Sequence, residues 1–483
     1  MKNSIRNIAI IGGGITGVAA YISLVSYNVA ENIYIISPTS IGESEAFDSA
    51  EPDMICNTSA GSISVVPENL YDFTSFLNGR GMQIEPKDFV PRSLVSEYVK
   101  IRFKEYLESA EANGINTTHI WQRATRIDLI SRDRKYGIYS ADENIITVDA
   151  AIVCTGYAHN IIPEFAKAFV SNQRIFTSPY PVKNITTRVP PKSQILIIGT
   201  KLSAIETAIT LAEKNHQVTM ASPSGELPAV RTHTLPSGVE LIGIDEIAKL
   251  DFKSNKLSRN IIKIIIKSIS KLTDLPLSLQ ISKKSDPIER LEEEIQLARK
   301  GNIYWQDIMV ELIDIINEFM SDKDSITQQT ALHSCNNIIS RYMGACSLEN
   351  AQKLLEALKT EKIRLHHGIP VIISLNNNEQ WEIEWKNKKS QYNIIIFATG
   401  REYPQYSLSD NSLDLNAVTS ECITKPYLDK NLRVYHSRKQ VPENIWLLGI
   451  SSHSSIPLVN AIYPAIQQAK SLGKWLKENA KNE

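Results

Sequence analysis

The tightest constraint on this chain lies between residues 8 and 36. The apolar run Ile8-Ala9-Ile10-Ile11 ends in Gly12-Gly13-Gly14-Ile15-Thr16-Gly17, an apolar stretch from Val18 to Val25 follows, and a second apolar run, Ile33 to Ile36, closes the unit. This pattern predicts strand, glycine turn, helix and strand, the context in which G-x-G-x-x-G signals dinucleotide binding. Each glycine answers a separate steric demand: Gly12 the tight turn, Gly14 the approach of backbone to a pyrophosphate, and Gly17 the close packing of helix on strand. The helix N-terminus faces the phosphates, so Ile15 and Thr16 join the glycines as binding candidates. About twenty residues on, the fingerprint expects Asp or Glu for a ribose hydroxyl. Ser37, followed by Pro38, stands there instead. A neutral hydroxyl contributes less than a carboxylate, so weaker cofactor retention is the expectation.

The plan repeats between Gln194 and Ser222, with a strand over Ile195 to Ile198, the turn Gly199-Thr200-Lys201-Leu202-Ser203-Ala204, a helix through Leu211 and a strand from Val218 to Ser222. Lys201 occupies the place of the middle glycine. Its side chain points outward, sits on a phosphate or blocks the backbone approach, and the sequence leaves all three open. Gly199, Leu202 and Ser203 are the other binding candidates of this turn. Ser222 rather than an acid ends the strand, with Arg231 and His233 not far along. That leans toward NADPH over NADH, because a carboxylate there would repel the 2′-phosphate.

Two further segments pair an apolar strand with a Thr-Gly turn: Ala151-Ile152-Val153-Cys154-Thr155-Gly156-Tyr157 and Ile394-Ile395-Ile396-Phe397-Ala398-Thr399-Gly400. They look like the two crossovers of two-dinucleotide flavoproteins. With Asn57, Phe89-Val90-Pro91-Arg92 leading to Tyr98, the Gly199 to Glu206 turn, the Glu294 to Trp305 segment and the closing Leu447-Leu448-Gly449, the chain resembles the FAD/NAD(P)-binding flavoproteins related to N-hydroxylating and Baeyer-Villiger-type monooxygenases. The resemblance covers most of the chain. It implies FAD on the first unit, with Ser37, Asn57, Thr155, Gly156, Gly400 and Gly449 near it, and NADPH or NADH met by the second. A shared fold does not fix the reaction.

The expected architecture is α/β, with two Rossmann-like dinucleotide-binding domains and a helical insertion. The FAD domain is discontinuous, over 1–165 and 395–483; the second domain takes 166–248 and 364–394; the insertion takes 249–363. A chain of 483 residues favours about two to three cores. Segments near Thr125 to Leu129, Tyr136 to Tyr139 and Ile145 to Val148 alternate as a β-meander. In the insertion, Asp286-Pro287-Ile288-Glu289 is a helix start and Gly301 a stop, with further helices expected over Trp305 to Met320 and Ala331 to Met343. Lys256, Arg259, Lys263, Lys267 and Lys271 form a basic stripe opposite Ile261, Ile262, Ile265 and Ile269, read as a solvated face over an apolar one, since no Trp or Phe is present to anchor a membrane interface.

Lys plus Arg is 52 and Asp plus Glu 53, which favours neither nucleic acid nor an acidic surface as partner. The five cysteines lack C-x-x-C spacing, and no run of about 18 apolar residues is present, so the expectation is a cytoplasmic chain without a membrane span, disulfide framework or metal site. The expected partner is a small-molecule substrate, and an oligomer or protein partner through the insertion stays open.

A flavin carries the hydride and oxygen chemistry itself, so few acid-base residues are demanded of the protein. Asn57 is the catalytic candidate that the resemblance places beside the ring, against the plainer role of capping a loop. His453, in Ser451-Ser452-His453-Ser454 after Gly449, is a candidate acid or base near neutral pH, against a surface histidine. Where many relatives carry Gly-Asp, this chain has Gly449-Ile450. The leading expectation is an NAD(P)H-dependent monooxygenase, with amine N-hydroxylation as one form. The alternatives are a dehydrogenase or oxidase taking hydride from substrate, and a flavin-binding partner subunit without catalysis.

Overall fold

The computed structural model describes residues 5–48, 51–130, 135–141, 143–235, 238, 240–386, 388–416, 425–436, 441–459 and 461–479; Cys422 lies outside them. The first sheet runs, in spatial order, Tyr427–Leu428, Arg433–His436, Val441–Leu447, Ala150–Val153, Asn7–Ile11, Asn32–Ile36 and Asn116–Ile120. Its last five strands are parallel, with Ile8 opposite Ile33 on one side and Ala150 on the other. Ile8 to Ile11 are at most 2% exposed, as expected for parallel strands covered on both faces. Alternate residues serve different cores. Ile8 and Ile10 pack with helices Ile15–Tyr27, Arg92–Ala112 and Ile462–Asn479, whereas Ala9 and Ile11 pack beneath an antiparallel sheet built from Arg126–Leu129, Tyr136–Ser140 and Glu143–Val148. That sheet is the meander read from the sequence, extended by Ser407–Leu408 and Ser412–Asp414.

The second sheet is wholly parallel, in the order Ile363–His367, Gln217–Ser222, Gln194–Ile198, Ile394–Phe397 and Ile175–Phe176. Ile394–Phe397 is a full member of it, hydrogen-bonded beside Ile195 to Ile198. The chain therefore returns to the first unit after Phe397, and a boundary at 395 cuts a strand. A three-stranded meander, Ile372–Leu375, Trp381–Glu384 and Lys389–Tyr392, covers one face through Trp381 and Ile383.

The inserted helices do not make a core of their own. Leu257–Ile269, Pro287–Arg299 and Trp305–Ser321 bury their apolar faces in one cluster with Ile195 and Ile197 of the second sheet. A helix with a single apolar stripe must bury it against a neighbour, and the second unit supplies that surface. The Asp286 side chain accepts from the N–H groups of Ile288 and Glu289, as its spacing predicts, and Gly301 takes a φ of 71° at the stop. The helix expected over 331–343 is instead Ser325–Ser334 followed by a π-turn, Ile338–Met343. The basic stripe is exposed at all five positions. Ile262 and Ile266 are exposed with it, while Lys267 pairs with Glu246 and Lys271 donates to Leu241 O. Among the described residues no helix is long and apolar enough to cross a membrane, and no His, Cys, Asp or Glu cluster fits a metal.

Candidate functional site

At the first turn the three glycines behave as their spacing requires. Gly12 has a φ of 111°, and a Cβ on it would lie 2.3 Å from Cys154 O. A Cβ on Gly17 would lie 2.0 Å from Gly12 O, so helix and strand touch through backbone alone. On Gly14 a Cβ would meet only Glu43 O, at 3.9 Å, which leaves the space before the turn open. Helix Ile15–Tyr27 has no side-chain N-cap. Its first N–H groups therefore have no intrahelical partner and point toward that space. The residues fit a pyrophosphate.

Around this turn the structure gathers most of the candidates. Thr155 adjoins Gly12, and a Cβ on Gly449, whose φ is 60°, would lie 2.8 Å from Thr16 Oγ1. The two crossovers run side by side: Ala158 N–H donates to Glu402 O at 2.9 Å, Glu402 N–H to His159 O at 2.8 Å and Ile161 N–H to Gly400 O at 3.1 Å. Thr155 N–H donates to Ser451 Oγ at 3.2 Å, and the Thr155 hydroxyl lies 2.7 Å from Tyr406 OH, which in turn donates to Ser451 at 2.8 Å. Burial pushes the Tyr406 hydroxyl up to about 12, so it remains a donor at neutral pH. Gly449 N–H donates to Gln468 Oε1 at 2.6 Å. Thr155 and Gly449 thus spend these N–H groups on holding the strand ends together, while Gly156, with a φ of 73° and no neighbour within 4 Å of a Cβ, faces free space. Nothing in the sequence marked Tyr406 or Gln468, which belong to no motif, and Ser451 stood out only as a neighbour of His453.

Ser37 is 3% exposed, and its hydroxyl lies 3.3 Å from Thr39 Oγ1. Asn57 sits half-buried in a loop whose neighbours tie the two units: Thr234 donates its N–H to Ser59 Oγ at 2.7 Å and its hydroxyl to Asn57 O at 3.4 Å.

His453 is half-buried rather than on the surface. Burial, the nearby Lys425 charge adding to it, pulls its imidazole down to about 4 against a weaker upward pull from the Ile450 backbone. The ring stacks on Tyr403 with centroids 4.8 Å apart and planes 4° apart, and Nδ1 has no partner among the described residues. Its imidazole is therefore neutral near pH 7, with one ring nitrogen able to accept a proton.

The second turn copies the first in backbone but not in side chains. Gly199 has a φ of 141°, and a Cβ there would lie 2.6 Å from Ala398 O. Lys201 takes φ −100° and ψ −172°, close to the −74° and −169° of Gly14. Its backbone is therefore unstrained, and what differs is the side chain, half-buried beside Arg341 and Glu226. Burial, reinforced by Arg341, lowers its pKa. Thr200, at the position of Gly13 in the first turn, bonds Ser222 Oγ at 2.9 Å and Glu226 O at 2.8 Å. Arg341 pairs with Glu294, and Arg290 with Glu226. Arg231 and His233, which suggested NADPH, are engaged internally. Arg231 is buried against Ala345 O, Met343 O and Thr234, and His233 Nε2 lies 2.8 Å from Asp307. Neither supports a choice between NADPH and NADH.

The two units are joined by a buried ion pair that no motif announced. Arg92, first residue of the Arg92–Ala112 helix, donates to Glu206 Oε1 at 3.0 Å, and Glu206 follows Ser203 by one helical turn. Tyr180 OH bonds both Ser203, at 3.1 Å, and Glu206, at 3.2 Å. Burial raises the Glu206 pKa against the pull of Arg92. The insertion reaches the first unit just past His453: Asn317 donates to Leu458 O at 3.1 Å and accepts from Leu458 N–H at 2.9 Å.

Residues 9–158 match a family model described as FAD-NAD(P)-binding. No curated protein sequence matches the chain. Among solved structures it is similar over nearly its whole length to an ornithine N-hydroxylase from Kutzneria sp. 744, at 11% identity, covering 99% of both chains, with a TM-score of 0.60. It is similar also to the ornithine hydroxylase of Pseudomonas aeruginosa, at 12% identity over 98% of this chain and 99% of that one, TM-score 0.57. The L-lysine 6-monooxygenase of Pseudomonas syringae aligns at 12% identity over 99% of both, TM-score 0.54. The chain has the fold of a two-dinucleotide flavoprotein.

Proposed function

We propose that this chain is an FAD-dependent oxidoreductase, reduced by NADPH or NADH, that oxygenates a small molecule, with amine N-hydroxylation the leading form. The observation that carries the flavin assignment is the Gly12–Gly17 turn, open before Gly14 and closed behind Gly12 and Gly17. The oxygenation rests on the coverage of this chain, insertion included, by the structures of ornithine and lysine hydroxylases. When bound, FAD supplies hydride acceptance and oxygen activation. The protein's part is positional: the Ile15–Tyr27 helix N-terminus takes the pyrophosphate, and the Thr155–Tyr406–Ser451 cluster fixes the strand ends around it. The Asn317–Leu458 pair seats the insertion over the same end. Asn57 is the side chain proposed to meet the flavin ring.

A second reading, a flavin dehydrogenase or oxidase whose second unit is scaffold, is favoured by Thr200 and Lys201 standing where the first turn has Gly13 and Gly14. Mixing the purified protein with NADPH or NADH while following visible flavin absorption and oxygen uptake separates the two. Bleaching by one nicotinamide, with oxygen uptake that rises when ornithine or lysine is added, supports oxygenation. No bleaching by either contradicts it.

A further inference from the structure

Trp121 directly follows the edge strand Asn116–Ile120 of the first sheet and is 63% exposed, although a large aromatic ring ordinarily gains by burial. Its ring lies 4.1 Å from that of His119, and His119 Nε2 lies 3.1 Å from Ser37 O. Together with Ser40, Ile41, Phe103 and Leu107 these two residues line a cleft of about 410 Å³. That lies within the range of roughly 300–1,000 Å³ of small-ligand sites. The cleft's Ile41 wall adjoins the first phosphate turn. Gly42 N–H donates to Gly13 O at 2.7 Å, and a Cβ on Gly13 would lie 3.0 Å from Ser37 and 3.5 Å from Ile41. A dinucleotide whose pyrophosphate sits on the turn has its ribose at the strand end occupied by Ser37. The base then falls beyond Ser37, where the cleft offers two aromatic rings and aliphatic walls. Position 37 provides no carboxylate for the ribose, so the adenosine half needs another source of affinity.

We propose that the adenine ring of FAD is held in this cleft, stacked on Trp121 beside His119, and that the stacking takes over the retention role of the missing carboxylate. The inference rests on FAD binding at the first unit. It is tested by titrating FAD, and separately FMN, which has no adenine, into apoprotein of the wild type, Trp121→Ala and Trp121→Phe, following flavin fluorescence. Base-on-aromatic stacking corresponds to roughly a five- to hundredfold change in affinity on alanine substitution. The expected result is that loss for FAD in Trp121→Ala, near-wild-type binding in Trp121→Phe, and no change for FMN in either. FAD affinity unaltered by Trp121→Ala, or an equal loss for FMN, overturns the adenine assignment while leaving the flavin reading intact. Wild-type apoprotein that takes up no FAD overturns both. Because Trp121 is largely exposed, Trp121→Ala is expected to fold, and a circular-dichroism melt matching the wild type confirms that any change in Kd is local.

Discussion

Replacing Gly14 and Gly17 separately by alanine distinguishes a phosphate-binding turn from a turn that is merely tight. A Cβ on Gly14 touches nothing nearer than 3.9 Å, and its φ of −74° suits any residue. Gly14→Ala should therefore cost the apoprotein no more than about 1 kcal/mol, the penalty for alanine at a helix N-cap. The added methyl group stands where backbone must approach phosphate. Loss of one charge-assisted contact, about 1.5–3 kcal/mol, corresponds to roughly a ten- to hundredfold weaker Kd for FAD, and the branched Gly14→Val should abolish binding. At Gly17 a Cβ would lie 2.0 Å from Gly12 O and 3.1 Å from its carbonyl carbon, both backbone atoms unable to rotate away. Overpacking of this kind costs about 1–3 kcal/mol or more. At about 2–4 °C per kcal/mol for a domain of this size, the apoprotein Tm should fall by several degrees. Thermal melts of both apoproteins and FAD titrations of each provide the assay. Wild-type FAD affinity in Gly14→Ala, or an undiminished Tm in Gly17→Ala, refutes the reasoning.

Glu206→Ala leaves the Arg92 guanidinium buried without its partner and should destabilise the protein by about 3–5 kcal/mol, with the double variant Arg92→Met/Glu206→Leu recovering much of the loss in urea melts. His453, near 6.5 when unfolded and about 4 when folded, binds its proton more readily in the unfolded chain; its contribution is present above pH 6.5 and is lost as pH falls toward 4, by about 3 kcal/mol. His453→Gln should flatten that part of the pH dependence of Tm, and an NMR titration giving an imidazole pKa near 6.5 would contradict it. If the Lys201 side chain obstructs the second turn, Lys201→Gly should speed flavin reduction at limiting NADPH, whereas a phosphate contact predicts slower reduction in both Lys201→Gly and Lys201→Glu. Unchanged rates in both variants would show that nicotinamide does not dock there.

What the sequence made legible was local. The two glycine turns, the Thr-Gly crossovers, the meander and the Asp286 cap are set by residues within a few positions of each other, where steric demand and hydrogen-bond reach act directly. The Arg92–Ala112 helix went unread because it lacks a side-chain cap and buries few residues, Val95, Tyr98 and Val99 among them. The Arg92–Glu206 pair and the Thr155–Tyr406–Ser451 cluster join residues 114 and about 250 to 300 positions apart, a closeness that exists only after both sheets have formed. Arg231 and His233 were misread for the same reason. Their types suited a phosphate, but the insertion supplies Ala345, Met343 and Asp307 as partners instead. The insertion itself looked separate because its helices carry their own start and stop signals, yet its apolar faces complete the core of the second sheet.

Whether FAD occupies the N-terminal turn is tested most directly by the nucleotide released on heating the purified protein. Chromatography of the supernatant should show FAD, close to one per chain, with little released by Gly14→Val. Release of FMN alone, or failure of the wild-type apoprotein to bind added FAD, would contradict it.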